Sequence, residues 1–351
     1  MTAPTPAVEP TAPTPAVEPT APTPAVEPTA PTLAVEPTAP IRVGVDLGGT
    51  KIEAVALGEG DRVLARERAS TPRDDYDGIV RTIAGLVDRV EREAGAKAAG
   101  IGIGIPGSFS PTTGLVRNAN TTILIGKPLD RDLLEALCRP VRLENDANCF
   151  ALAEAQAGAA KGYGVVAGLI LGTGAGSGIV MHGRVHVGPN KIAGEWGHTA
   201  LPRPTVEETP GPLCYCGRRG CLELWVSGTG LELDYARRAE TARVPGAEIV
   251  ARAAAGEAGA QGALARHLDR LGRGLSVIVN TLDPDAIVLG GGLSNLDHLY
   301  TDLREATRPH VFSDCFETPI LRNMLGDSAG VIGAAWLWPA GASGSMGAPT
   351  V

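Results

Sequence analysis

The chain has 351 residues, 44% hydrophobic and 20% charged, which is enough for two globular domains of ordinary size. A formal net charge of −8 and a pI near 5.4 argue against a nucleic-acid backbone or an anionic membrane as the main partner. No basic, apolar leader and no apolar run of ~18 residues is visible, so neither export nor membrane spanning is expected. Six cysteines, three of them clustered, fit a reducing cytoplasm better than a disulfide scaffold.

Residues 1–40 form a separate regime. The unit Ala-Pro-Thr-Pro-Ala-Val-Glu-Pro-Thr recurs there, with Leu33 replacing a proline in the last copy. Proline at this density removes backbone donors and favours an extended polyproline II chain, so a disordered Pro/Thr/Glu tether is expected. Residues 340–351, rich in Gly, Ser and Pro, are expected to form a flexible tail.

The globular part opens with two β-rich runs, Ile41 to Leu47 and Lys51 to Leu57, around an Asp-x-Gly-Gly-Thr turn. They read as a hairpin whose glycines, Gly48 and Gly49, let backbone amides approach an anion. Asp46 is placed to hold Mg²⁺ through water, and Thr50 and Lys51 to touch phosphate oxygens; an ordinary Gly-Gly turn explains the same residues equally well. A strand near Arg62 to Ala69 and a turn at Pro72 to Asp75 follow. Ile79, Ile83, Leu86, Val87 and Val90 then recur at helical spacing and predict an amphipathic helix over Tyr76 to Glu93. Ala99 to Ile105 reads as a small-residue strand ending in Pro106-Gly107. The loop Asn118-Ala119-Asn120-Thr121 offers amide donors and acceptors suited to hydroxyl groups, or an Asx turn.

Leu129 to Cys138 reads as a helix and Val141 to Leu143 as a short strand. Glu144-Asn145-Asp146-Ala147-Asn148 leads into a helix over Cys149 to Ala160. A carboxylate at such a start is commonly a cap, and taken alone Asp146 is one. Tyr163 to Leu171 is a nearly continuous apolar strand. The run Gly172-Thr173-Gly174-Ala175-Gly176-Ser177-Gly178 after it alternates its glycines and continues as strand through Met181, unlike a dinucleotide fingerprint, which opens a helix. Helices are predicted over Ala247 to Ala255, Leu264 to Leu282, Leu296 to Thr307 and Ser328 to Trp338. The strand Asp285 to Leu289 feeds a third glycine cluster, Gly290-Gly291-Gly292.

One segment carries metal chemistry. Between Gly194 and Glu223 stand His198, Cys214, Cys216 and Cys221, one imidazole and three thiols, the donor set of a closed tetrahedral Zn²⁺ site. With all four positions supplied by protein, such a metal is structural. The alternatives are a local disulfide or free core thiols. Folding this loop around a metal also brings Glu195 and Glu223 together.

In this order, Asp46-Leu47-Gly48-Gly49-Thr50-Lys51, Gly104-Ile105-Pro106-Gly107, Glu144 to Asn148, Gly172-Thr173-Gly174, Gly194-Glu195-x-Gly-His198, the cysteine cluster with Glu223, and Gly290-Gly291-Gly292 resemble the ROK sugar kinases (repressors, open reading frames and kinases) from about Ile41 to Pro339. The resemblance implies an α/β, two-lobed actin-like or hexokinase-like ATPase fold with ribonuclease H-like lobes and an interlobe cleft. A small lobe of residues 41–148 plus about 326–339 and a large lobe of residues 149–325, with the zinc loop at 194–223, are expected. ATP and Mg²⁺ are implied at Asp46, Gly48, Gly49, Thr50, Lys51, Gly172, Thr173, Gly174, Gly176 and Gly290 to Gly292. The sugar is implied at Gly107, Asn120, Asn145, Asp146, Glu195, His198 and Glu223, with Asp146 as catalytic base. Structural Zn²⁺ is implied at His198, Cys214, Cys216 and Cys221, with the other ring nitrogen of His198 facing the sugar.

Ser108 to Gly114, Asn118 to Thr121, Gly194 to Pro202 and Ala334 to Pro339 look most like the bacterial fructokinase (mannokinase) branch. D-Fructose is therefore the expected acceptor and N-acetyl-D-glucosamine the alternative; Trp196, beside Glu195, is bulkier than in some relatives. The family also contains repressors with a helix-turn-helix ahead of the kinase-like part, a place taken here by the Pro-Thr repeat. A catalytically silent sugar-binding module is a further alternative. A homodimer is the expected assembly, although no motif fixes it.

Overall fold

The computed structural model describes residues 40–338 of the chain; the expected tether and tail fall outside the described residues. The first sheet is built from β1 (Arg42–Leu47), β2 (Lys51–Leu57), β3 (Val63–Ser70), β4 (Ile101–Ile105) and β7 (Val141–Asn145), in the order β3-β2-β1-β4-β7. The β1–β2 hairpin pairs Asp46 with Glu53, and β4 runs parallel to both β1 and β7. Helix α1 (Tyr76–Ala94) covers this sheet. Its side chains Ile79, Ile83, Leu86, Val87 and Val90 are all fully buried, as their spacing predicts. Asp75 caps it through the Gly78 amide at 2.8 Å, and Gly95 ends it in the left-handed conformation. A small hairpin, β5 (Ser108–Phe109) and β6 (Val116–Arg117), and helix α2 (Leu129–Leu137) complete this lobe.

Helix α3 (Asp146–Gln156) starts directly from β7, earlier than its apolar pattern suggests, because the Asn145 side chain provides the cap. The second sheet follows: β8 (Val165–Leu171), β9 (Ala175–Met181), β10 (Arg184–Val185), β11 (Ala286–Gly290) and β12 (Ile320–Arg322), in the order β10-β9-β8-β11-β12. Helices α4 (Glu223–Val226), α5 (Gly228–Ala239), α6 (Gly246–Ala254) and α7 (Ala258–Leu282) form the other layer of this lobe. The single helix predicted over Leu296 to Thr307 is instead broken into α8 (His298–Thr301) and α9 (Leu303–Thr307). Asp302 between them leaves ideal helical geometry (φ −110°, ψ −24°), while Leu299 and Leu303 stay on one face and are both buried.

The closing helix α10 (Ala329–Trp336) returns to pack on β1 and β4 and against α3. Its approach requires missing side chains. A Cβ on Gly102 would overlap the Ala334 carbonyl, and one on Gly333 would overlap that of Cys149. The two helices thus meet backbone to backbone, each seated on its own sheet, and join the two lobes.

Candidate active site

The β1–β2 turn closes through a bond from the Gly48 amide to the Lys51 carbonyl at 3.0 Å, leaving Gly49 and Thr50 exposed. Thr71, which carries no recognisable motif, braces it from behind: its hydroxyl donates to the Gly48 carbonyl at 2.7 Å and its amide to the Thr50 carbonyl at 3.0 Å. Lys51 pairs with buried Glu53 at 3.7 Å, and Arg66 and Arg68 converge on the same carboxylate.

Asp46 ends β1 beside this cluster. Burial first, then the charges of Asp146 and Glu53, push its carboxyl up to about 6 against the pull of Lys51. Asp146, the first residue of α3, is open to solvent from one side. Desolvation by the surrounding protein still raises its carboxyl, with Glu195 adding to the shift and the Ala147 amide opposing it. Asp146 acts on Asp46 and Glu195 acts on Asp146, so the start of α3 faces both the end of β1 and the loop after β10. Crowded carboxylates with elevated affinity for protons are the chemistry that a divalent cation relieves, so these residues fit Mg²⁺.

Asn145 donates to the Gly107 carbonyl at 3.2 Å and accepts from the Ala147 amide at 2.9 Å. The cap is therefore Asn145, and the expectation that Asp146 taken alone serves as cap is corrected. A cavity of about 260 Å³ adjoins these residues, lined by Gly107, Ser108, Glu144, Asn145 and, from the other lobe, Lys191. Asn120 is exposed on the loop after β6, whose Thr121 lies over Gly49.

The second and third glycine clusters lie side by side, because β8 and β11 are parallel neighbours and Gly291 packs on the Leu171 carbonyl. Gly172, Thr173, Gly174 and Gly176 are wholly or partly open, as are Gly291 and Gly292. Gly290 differs: it is buried, and a Cβ there would run into the Phe150 ring, so its role is packing α3. The sequence reading missed α5, whose Gly228 amide donates to the Gly172 carbonyl at 2.8 Å. Ser227 caps that helix through the Gly230 amide at 3.1 Å, which brings a positive helix end to the second glycine turn. A serine ahead of Gly-Thr-Gly and an apolar run was the available signal.

The segment from Gly194 to His198 is pinned on β9: Gly194 (φ 92°) accepts from the Ser177 hydroxyl at 2.5 Å, and a Cβ on Gly197 would overlap the Ala175 carbonyl. Trp196 is 6% exposed and belongs to the core with Leu222, so its ring serves packing. Glu195 is exposed, and Glu223 accepts from the Ala175 amide at 3.0 Å, which fixes it beside Gly174.

His198, Cys214, Cys216 and Cys221 converge, with their ligand atoms all within 4.8 Å of one another. The Cys216 and Cys221 sulfurs are 3.5 Å apart, and the Cys214 sulfur is 3.6 Å from His198 Nδ1. All three thiols are free, which sets the disulfide alternative aside. Tetrahedral Zn²⁺ with bonds of about 2.3 Å places its ligands roughly 3.8 Å apart, so the cage fits. Burial and the neighbouring sulfurs push Cys221 up to about 12, a crowding that a cation offsets. His198 Nε2, on the other side of the ring, meets the Tyr215 hydroxyl at 2.8 Å rather than standing open.

The excursion between these ligands is anchored by buried charge. Glu208 bonds Arg270 at 2.7 Å and Arg273 at 3.0 Å on α7, and Arg270 also reaches Asp234 of α5 at 2.9 Å. Among the described residues, no helix is long and apolar enough to cross a membrane.

Comparison with known proteins agrees with this architecture. The N-acetyl-D-glucosamine kinase of Photobacterium profundum is 41% identical over 298 residues, covering 84% of this chain and 98% of that protein. The enzyme of the same name from Yersinia pseudotuberculosis is 38% identical, with 84% and 97% covered. Among solved structures, a ROK hexokinase from Thermus thermophilus is 36% identical with a TM-score of 0.76, over 84% of this chain and 97% of that one. A ROK family glucokinase from Streptomyces griseus, in complex with glucose and AMPPNP, is 30% identical with a TM-score of 0.68, over 85% and 98%. The ROK family model matches residues 42–340, so this chain, with its two-lobed actin-like fold, belongs to the ROK family of sugar kinases.

Proposed function

We infer that the chain transfers the γ-phosphate of MgATP to the 6-hydroxyl of a hexose bound between its lobes. The observation that carries this reading is the position of Asp146, a carboxylate with raised proton affinity at the start of α3, open to solvent, acted on by Glu195 and itself acting on Asp46. Asp146 accepts the proton of the primary hydroxyl as its oxygen attacks the γ-phosphorus and the bond to ADP breaks. The open glycines and Thr173, with Lys51, orient the phosphates through backbone amides and charge. Mg²⁺, when bound near Asp46, neutralises charge on the transferring phosphoryl group. Asn145 and Gly107 hold the acceptor side, while Glu195, His198 and Glu223 bind the remaining hydroxyls. Zn²⁺ at His198, Cys214, Cys216 and Cys221 serves as a structural pin for that loop.

N-Acetyl-D-glucosamine is the acceptor best supported, because the curated relatives at 38–41% identity carry that name. D-Fructose is the second reading. It rests on the local likeness of Ser108 to Gly114, Asn118 to Thr121 and the closing segment to the fructokinase branch; Trp196, buried in the core, does not speak for or against it. A phosphorylation screen with MgATP over N-acetylglucosamine, fructose, glucose and mannose is the test. Highest kcat/KM with the acetamido sugar supports the first reading and preference for fructose the second. Absence of turnover with all of them removes the kinase reading.

A further inference from the structure

We propose that Tyr215 is the side chain that selects the acceptor sugar, by occupying in the free protein the hydrogen-bonding position on His198 that a sugar hydroxyl takes on binding. This rests on the hexose-kinase reading and goes beyond it by naming a residue for selectivity.

Tyr215 stands between two candidate metal ligands, Cys214 and Cys216, so its backbone is held by the cage on both sides. Cys214 is buried at 2% exposure, yet the tyrosine one residue on is 72% exposed. The ring therefore lies outside the core, with a polar tip that is free to exchange one hydrogen-bond partner for another. Its hydroxyl lies 2.8 Å from His198 Nε2, and its ring meets the imidazole edge to face at 5.1 Å.

His198 Nδ1 is turned toward the Cys214 sulfur at 3.6 Å, so Nε2 is the nitrogen left to carry a hydrogen toward the acceptor side. One N–H serves one strong acceptor. A sugar hydroxyl that uses His198 must displace the phenol or bridge to it, and the largely exposed ring is free to swing. A sugar whose substituents leave room keeps the ring packed on its face; one that does not expels it.

The test uses the full chain, with Tyr215→Phe removing only the hydroxyl and Tyr215→Gly removing the ring. Steady-state kinetics on N-acetylglucosamine, fructose, glucose and mannose are paired with zinc content by elemental analysis and KM for ATP. Tyr215→Phe is expected to change KM for the sugar by about 3-fold or more at nearly constant kcat, the scale of one exchanged hydrogen bond. Tyr215→Gly is expected to shift the ratio of kcat/KM between the two best sugars by about 10-fold or more, with zinc and KM for ATP unchanged. If both variants keep every sugar KM and that ratio within about 2-fold of wild type, the proposal is overturned while the kinase reading stands. If the glycine variant loses zinc, the phenylalanine arm decides alone. Wild-type protein that turns over none of the sugars overturns both.

Discussion

The carboxamide of Asn145 spans from the Gly107 carbonyl, at 3.2 Å, to the Ala147 amide, at 2.9 Å. It is a strut between the exit of β4 and the first turn of α3, and it sets the direction in which Asp146 leaves the helix. Asn145→Ala removes a cap, and a loss of about 1 kcal/mol in urea unfolding is expected. Misaiming of Asp146 adds a fall in kcat/KM of roughly 10-fold or more. Full activity in the variant would show that Asp146 is aimed by other contacts.

Titration follows from the carboxyls of Asp46 and Asp146. Both must be ionised to work, so kcat/KM is expected to fall as pH drops through about 6, the value for Asp46. The effect on stability has the opposite sign. Asp46 binds its proton more tightly in the folded protein, at about 6 against 3.8 unfolded, so its contribution to stability decreases as pH rises through that window. Asp46→Asn is therefore expected to raise the melting temperature at pH 7, by the equivalent of at most about 3 kcal/mol, while abolishing turnover. A variant that melts below wild type at that pH would contradict this.

Metal content is the next expectation. Purified protein should contain one zinc per chain, and Cys216→Ser should lose it together with sugar affinity and thermal stability, because binding is coupled to ordering of the loop. Elemental analysis with calorimetry in the presence of a chelator measures all three. Zinc-free protein with undiminished sugar binding would leave the cysteines as core thiols.

Glu208 ties the loop to α7 through two arginines that are 2% and 5% exposed. Glu208→Ala leaves buried positive charge unpaired and is expected to cost about 3–5 kcal/mol in urea unfolding. Although burial opposes it, Arg273 and Arg270 hold this carboxyl down at about 2. Its stabilisation should therefore be complete above pH 4.5, the unfolded value, and be lost only as pH falls toward 2. A cost below about 1 kcal/mol would mean that Asp234 compensates.

Periodicity made α1 and the continuous strand β8 legible, since burial of one face or of both leaves a direct trace in the sequence. The four candidate zinc ligands were legible from donor chemistry alone. Tyr215 and Thr71 were not, because each acts through hydrogen bonds to residues distant in the chain. The resemblance implies Gly290 as a nucleotide contact, whereas the approach of Phe150 buries it. The break at Asp302 was hidden because Leu299, Leu303 and Thr307 keep a helical spacing across it. For the same reason the cap could not be assigned between Asn145 and Asp146: both residue types are good caps, and only the β7–α3 junction decides.

Phosphoryl transfer from radiolabelled γ-phosphate ATP to the best acceptor, measured side by side for wild type and Asp146→Asn with sugar affinity determined in both, addresses the central claim most directly. Expected are a hexose 6-phosphate from wild type, a loss on the order of 10²–10⁴ in kcat for the variant, and nearly equal sugar affinity. Retention of most of the turnover by Asp146→Asn would contradict the account, since the proton of the sugar hydroxyl would then have another destination.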